Sequence, residues 1–450
     1  MIEDHPLQDV RPAVLALDII IIGCGISGLS AAYRLGRAGH KITVLESASQ
    51  IREVGAGIQV GPNLSRLLIR WGLADRLEQV AVKPQAISFV RYEDGQQLGW
   101  TRWGDSMERD YGSPYYNIHR ADLLDMLFDL ARPYVTLKLN SRVKSVDAER
   151  AKVILENGAI LSADLIVGAD GIRSVVRNAV VGGQPKQPVP TGHAAYRAII
   201  STSDMMKDPQ MRALVERREI TSWMGPQKHI VGYCIRGGTE YNLVLVHPDT
   251  REQESYTSEG SVTKMRADFA GWEPRVQKLL NLVQTTLIWP LMYREPLDDW
   301  VSPSGKVVLM GDACHPMLPS RAQGSAMAVE DAAVLGILLS RITSRTQLLP
   351  LLHGYQRLRH NRTAETQRAA FANHNTFHLE DGPRQEERDR SMRLAMELAS
   401  SQEERENVGN ANIWADKRKS QTQFGYDAEA EAARWCTGIW LDAARTSYRL

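Results

Sequence analysis

The chain has 450 residues, 43% of them hydrophobic and 24% charged, a balance that excludes global disorder and a length that buries two or three cores. With 54 basic against 53 acidic residues, a formal +1, there is no electrostatic footprint for nucleic acid or an anionic membrane, so a small-molecule partner is expected. Cys24, Cys234, Cys314 and Cys436 form no CxxC pair, which argues against a disulfide framework and for a reducing compartment. The N-terminal segment carries Glu3, Asp4 and Asp9 and lacks the basic and apolar regions of a secretion signal. The most apolar stretch, Leu15 to Ala32, is interrupted by Asp18 and by glycines, so a cytoplasmic protein without stable membrane insertion is expected.

Leu17 to Ile22 is a β-branched run that ends in glycine, the pattern of a strand buried on both faces. Ile26 to Ala38 carries helical spacing, and Ile42 to Leu45 is a second apolar strand ending in Glu46, so the chain opens on a βαβ unit. Short strand-like pieces, Val143 to Val146 and Val153 to Leu155, predict a meander that returns to a parallel sheet through Leu165 to Val167. From Thr191 to Tyr293 the texture becomes β-rich, including Ile230 to Ile235 and Tyr241 to His247. Lys306 to Met310 is again a buried strand, with a helix expected from Ser325 to Ile342. Beyond Leu352 the sequence is helical and polar, and the run Arg384 to Arg393 reads as a solvated helix face.

Gly23-Cys24-Gly25-Ile26-Ser27-Gly28 falls where the first strand turns into its helix, the context that makes a GxGxxG match informative. Gly23 allows the tight turn, Gly25 lets backbone approach a pyrophosphate, and Gly28 permits close helix-sheet packing. The helix N-terminus adds amide donors, and Glu46 is placed to accept hydrogen bonds from an adenosine ribose. This fingerprint alone leaves FAD and NAD open.

Two later segments narrow it: Gly168-Ala169-Asp170-Gly171-Ile172-Arg173-Ser174, and Gly311-Asp312-Ala313-Cys314-His315-Pro316 with Pro319, Gln323-Gly324 and Glu330-Asp331. Together with the first fingerprint they resemble the class A flavoprotein monooxygenases, the salicylate and p-hydroxybenzoate hydroxylase family, and the polar C-terminal style resembles its fungal members. The resemblance implies an α/β fold: a Rossmann-like FAD-binding domain in three pieces (13–86, 119–190 and 296–375), a β-rich substrate domain (87–118 and 191–295) and a helical C-terminal region (376–450). It implies FAD as cofactor, NADH or NADPH as a transient reductant, and a monomer or homodimer. Asp312 would hold the flavin ribityl chain, and Gly324 and Ser325 would bring amides to the pyrimidine end of the isoalloxazine. Asp170 would lie near the pyrophosphate or cap the following helix. Arg120 would pair with the pyrophosphate, while Ala56, Gly57 and Gln59, in Gly55-Ala56-Gly57-Ile58-Gln59, would let the flavin lie against backbone. Ser320-Arg321-Ala322 departs from the pattern, since many relatives place an aromatic residue and a further glycine there.

Oxygen insertion through a flavin hydroperoxide, which the resemblance implies, needs an electron-rich ring, so the site should favour a phenolate. His229 and Tyr233 lie four apart on an expected strand, which puts both side chains on one face as a candidate proton relay. Arg197 matches an arginine that some relatives use to hold a phenolate or carboxylate, and His315 reads as part of the flavin loop. No His, Asp or Cys cluster stands at ligand spacing, so no metal is expected. The implied function is NAD(P)H- and oxygen-dependent hydroxylation of a phenolic or carboxylated aromatic, with or without loss of the carboxylate, in secondary metabolism or aromatic catabolism. Dearomatisation or epoxidation by the same flavin species, a non-oxygenating flavin dehydrogenase, and a silent flavoprotein binding module are the alternatives.

Overall fold

Four consecutive isoleucines, Ile19 to Ile22, make up most of strand β1 (Asp18–Ile22), and all four are buried, as a parallel strand covered on both faces requires. In the computed structural model, which describes residues 11–51, 56–182, 187–249, 258–400 and 409–440, this strand feeds helix α1 (Ile26–Arg37) and then β2 (Lys41–Leu45). The expected βαβ unit is present, with β1 and β2 parallel and Ile20 level with Thr43. The chain continues through β3 (Gly57–Val60), β4 (Ala86–Arg91), β5 (Gln97–Arg102), β6 (Tyr116–His119), α2 (Arg120–Ala131) and β7 (Val135–Lys138). An antiparallel meander then leads into β8 (Leu165–Gly168), which pairs parallel with β1 as expected. Strands β9 (Val189–Ser201), β10 (Ile220–Gly225), β11 (Lys228–Ile235), β12 (Glu240–Pro248) and β13 (Thr286–Tyr293) follow. The remaining elements used below are β14 (Val307–Leu309), α3 (Gly324–Leu339), α4 (Leu348–Phe377) and α5 (Pro383–Ser400).

Five strands form a parallel sheet in the order β14-β8-β1-β2-β7, and β3 and β6 form a separate antiparallel ribbon. The large sheet has eight strands: a short edge strand, Ser258–Gly260, then β13-β9-β12-β11-β10-β4-β5. Among the described residues, no helix is long and apolar enough to cross a membrane. Helix α3 is buried at every residue from Ala326 to Leu339, including two acids. It lies so close to α1 that a Cβ on Gly336 would stand 2.7 Å from the Cβ of Arg34.

The run Arg384 to Arg393 is not a purely solvated face. Arg388 and Asp389 are buried and joined at 2.8 Å, and Met392 is buried in a cluster with Phe89 and Leu98. Helix α5 covers part of the large sheet, so one side of it has to be dry whatever its mean composition.

The two acids inside α3 are held by cations from α4. Arg359, fully buried, reaches Glu330 at 2.6 Å and Asp331 at 2.8 Å, and Arg362 reaches Glu330 at 2.8 Å. Burial alone would raise both carboxyls; Arg362 and Arg359 at Glu330, and His315 and Arg359 at Asp331, outweigh it and hold them below the usual range. The network's contribution is therefore complete above the unfolded carboxyl pKa values of about 4 and is lost as pH falls into the depressed range. Arg359→Met should leave Glu330 to Arg362 and Asp331 to His315, each short of one buried cation, and cost about 3–5 kcal/mol, measured by urea denaturation at neutral pH. The variant should also lose less stability than the wild type on acidification, because its carboxylates have lost one of the cations that depress them.

Candidate FAD and substrate site

The turn after β1 shows which glycines the backbone demands. Gly23 has φ +102°, and a Cβ there would lie 2.4 Å from the Ala169 carbonyl oxygen; on Gly28 it would lie 1.9 Å from the Gly23 carbonyl oxygen. A Cβ on Gly25 would meet nothing within 4 Å. The first and third glycines are thus fixed by turn and packing, while the second leaves open space over the N-terminus of α1. At the end of β2, the Glu46 carboxylate accepts from the Cys24 amide at 2.9 Å and the Ala48 amide at 2.8 Å. Burial and the neighbouring Glu46 push the Cys24 thiol up to about 12, which keeps it neutral.

This open space continues into a cavity of about 600 Å³ between the parallel sheet and the large sheet. One wall is built by Gly25, Gly57, Gln59, Arg120, Asp312, Gly324 and Ser325, the other by Arg197, His229 and Tyr233. Gly23, Gly28, Glu46, Ala56 and Asp170 support the wall without lining it, and Gly55 lies outside the described residues. The Ala56 carbonyl accepts from the Arg120 amide at 2.8 Å, which fixes the β3 turn against the start of α2. Asp312 opens onto the cavity yet is surrounded by protein; burial raises its carboxyl, with His315 and Arg120 opposing.

Asp170 accepts from the Ser174 hydroxyl at 2.5 Å and from the Val175 and Val176 amides at 2.7 and 3.2 Å, so it organises the turn into the next helix. From that helix Arg177 donates to the carbonyls of Ala313 and Cys314, tying this segment to the Gly311-Asp312 turn. Asp331 fastens the same turn, accepting from the Gly311 amide at 3.0 Å and pairing with His315 at 2.5 Å. Burial alone would lower His315, but Asp331 and Cys314 outweigh it and raise the imidazole above its ordinary range. His315 is therefore held by Asp331 as part of the Gly311-Asp312 turn. At the departure from the family pattern, Ala322 adopts φ +51°, the left-handed region a glycine would take without strain.

On the substrate side, Arg197 stacks over Trp289 at 4.3 Å. Tyr233 is buried, and burial raises its hydroxyl with Arg197 partly offsetting, so it stays protonated. His229 is buried on the same strand, and its Nδ1 shares a 2.6 Å hydrogen bond with Nε2 of His378. Phe377 and Trp414, from the C-terminal region, also line this half. The expectation of no metal rested on spacing along the sequence, whereas the fold brings together donors that lie far apart in it. It assembles two groups of adjacent donors, His193 with His374 and His378, and Cys314 with His315 and Asp331. The pair His374 and His378, four apart, was the available sequence signal.

A family model described as FAD binding domain matches residues 16–370. FAD-dependent monooxygenase OpS4 of Beauveria bassiana (strain ARSEF 2860) is 36% identical over 419 residues, 92% of this chain and 96% of its own length. The 3-amino-4-hydroxybenzoate 2-monooxygenase PtnB3 of Streptomyces platensis is 36% identical over 384 residues, 84% of this chain and 93% of its own. The chain is a class A FAD-dependent aromatic monooxygenase. The monooxygenase shares its fold with a salicylate hydroxylase solved as a substrate complex, with a TM-score of 0.73 at 22% identity, covering 93% of this chain and 97% of that one.

FAD is the cofactor of this monooxygenase, and the cavity's chemistry fits it. Ser27 Oγ, Ser320 Oγ and Gln323 Nε2 are buried without hydrogen-bond partners, and all three residues line the wall that a flavin dinucleotide would cover. Gly28→Ala should yield protein with FAD content reduced at least ~10-fold, because the added carbon cannot be placed without moving the turn. Asp312→Ala should weaken FAD binding about 10–100-fold, the loss of one charge-assisted hydrogen bond. The ratio of flavin to protein absorbance after gel filtration checks both.

Proposed function

We propose that this monooxygenase hydroxylates a small phenolic or carboxylated aromatic compound, with NADH or NADPH as reductant. The observation that carries the reading is a single cavity in which the dinucleotide turns face a cationic and aromatic wall, Arg197, His229 and Tyr233. Glu46 would hold the adenosine ribose, Arg120 the pyrophosphate, Asp312 the ribityl chain, and the amides of Gly324 and Ser325 the pyrimidine edge. When bound and reduced, FAD activates molecular oxygen and supplies one oxygen atom to the ring.

The chain's own residues prepare that ring. Arg197 favours an anion in the cavity, lowering the pKa of a bound phenol. Tyr233, kept protonated, donates a hydrogen bond to the phenolate oxygen. His229 is held neutral, well below its ordinary range, by burial and by neighbouring His374 and His193. With Nδ1 committed to His378, its Nε2 is the atom that accepts the phenolic proton. Phe377 and Trp414, stacked with centroids 6.2 Å apart, give this half of the cavity an apolar face for the ring.

Screening aromatic acids and phenols for ligand-stimulated NAD(P)H oxidation, followed by product mass, tests the proposal. A product one oxygen atom heavier supports it; flavin reduction directly by the aromatic compound, without NAD(P)H, contradicts it. His229→Ala should keep FAD bound while lowering kcat about 100-fold. Arg197→Met should raise KM for anionic substrates roughly 10–100-fold. Comparing NAD(P)H consumed with product formed separates lost chemistry from lost coupling.

A further inference from the structure

The floor of the cavity is longer than a single ring requires. Register across the large sheet sets Arg197 of β9 opposite Val244 of β12, Val244 opposite Val231 of β11, Val231 opposite Ser222 of β10, and Ser222 opposite Phe89 of β4. All five residues line the cavity, so they form one row on one face of the sheet. Neighbouring strands stand about 4.8 Å apart, and four such steps make the row about 19 Å long. A single ring with one acidic substituent covers only part of it.

The two ends of the row differ in chemistry. At one end the Arg197 guanidinium lies over the Trp289 ring at 4.3 Å. His229 and Tyr233 flank Val231 along β11, so the groups that handle the phenolic proton stand at the middle of the row. On β10 and β4 the floor is lined by Ile220, Ser222, Ile87 and Phe89, none of them charged. Phe89 is fully buried and closes the row. Trp414 stacks on it with ring centroids 5.4 Å apart, and Phe377 and Trp414 also line the cavity at this end.

We propose that the substrate's ring carries an apolar extension, about the length of a five-carbon chain, which lies along the far half of this row. The assignment rests on the aromatic substrate proposed above and names the part of that substrate which sets specificity. The acidic group meets Arg197, the reacting ring lies at His229 and Tyr233, and the extension passes over Ser222 toward Phe89 with Trp414 beside it. The dinucleotide turns stand on the facing wall, so this arm belongs to the substrate and not to the cofactor. Charge at one end and apolar surface at the other also fix the direction of binding. Reversed, an anion would enter a wall without a cation and the chain would strip water from Arg197.

Titration of the FAD-loaded protein with 2-hydroxybenzoate and its methyl, propyl and pentyl derivatives at carbon 4 or carbon 5, followed through the visible absorbance of the flavin, tests this. In one of the two series affinity should rise about threefold to fourfold per methylene, to at least ~100-fold for the pentyl compound over its parent. Ser222→Leu, which fills the arm, and Trp414→Ala, which removes one side of it, should each retain FAD and cut the ratio of pentyl to parent affinity at least ~10-fold. Affinity that does not grow with chain length in either series, or a ratio unchanged in both variants, would overturn the proposal. The readout is binding and not product, so a flat series removes the extension alone. Length-dependent binding without ring hydroxylation supports the arm and removes the reaction proposed above.

Discussion

A buried knot of charge fixes the geometry of everything else in this monooxygenase. Arg359 and Arg362 on α4 meet Glu330 and Asp331 on α3, and those acids in turn hold His315, the Gly311 amide and Asn63. Asn63 also donates to Gln323 at 2.9 Å, so the segment after β3 and the start of α3 are joined through the same acids. A full charge taken out of water is tolerated only when it is paired and hydrogen-bonded on every side, and here the partners of the two acids come from three separate stretches of chain outside α3. That requirement converts an ionic cluster into a positioning device. If any one stretch shifts, a buried carboxylate loses one of its partners.

What the knot positions is a boundary between two different surfaces. On one side the parallel sheet ends in turns where side chains are absent, because Gly23 and Gly28 have no room for them and Gly57 touches Tyr233 and Asn242. On the other side the large sheet presents rings, hydroxyls and a guanidinium. The first surface suits a long, flat, phosphorylated cofactor that needs amide donors and close backbone approach. The second suits a planar anion. Gly57 lies in the ribbon that brings the two within contact, and its amide donates to Asn242 of the large sheet at 2.7 Å.

Sequence reading recovered the parts of this arrangement whose physical cause is local. The run Ile19 to Ile22, the glycines around Cys24 and the terminal Glu46 each express a constraint that acts within a few residues, and the structure places them on β1, its turn and the end of β2. Arg197, His229 and Tyr233 were legible as residue types on strands, and the fold brings all three to one wall. The rest depended on distance in sequence. Nothing near Arg359 announces that it neutralises Glu330 and Asp331, and nothing near Trp414 places it beside Phe377. The buried side of α5 was hidden by its many charges, which describe its outer face alone. His193 and His378 lie far apart along the chain, and nothing local to either announces that their rings stack.

In the proposed reaction one oxygen atom passes from molecular oxygen to an aromatic ring held against FAD by Arg197, His229 and Tyr233. Turnover under isotopically heavy oxygen gas, in ordinary water, tests it most directly by mass measurement of the product. The account predicts a product carrying a single heavy oxygen atom on the ring. A product labelled only from water, or an aromatic compound oxidised with no added oxygen, would contradict it.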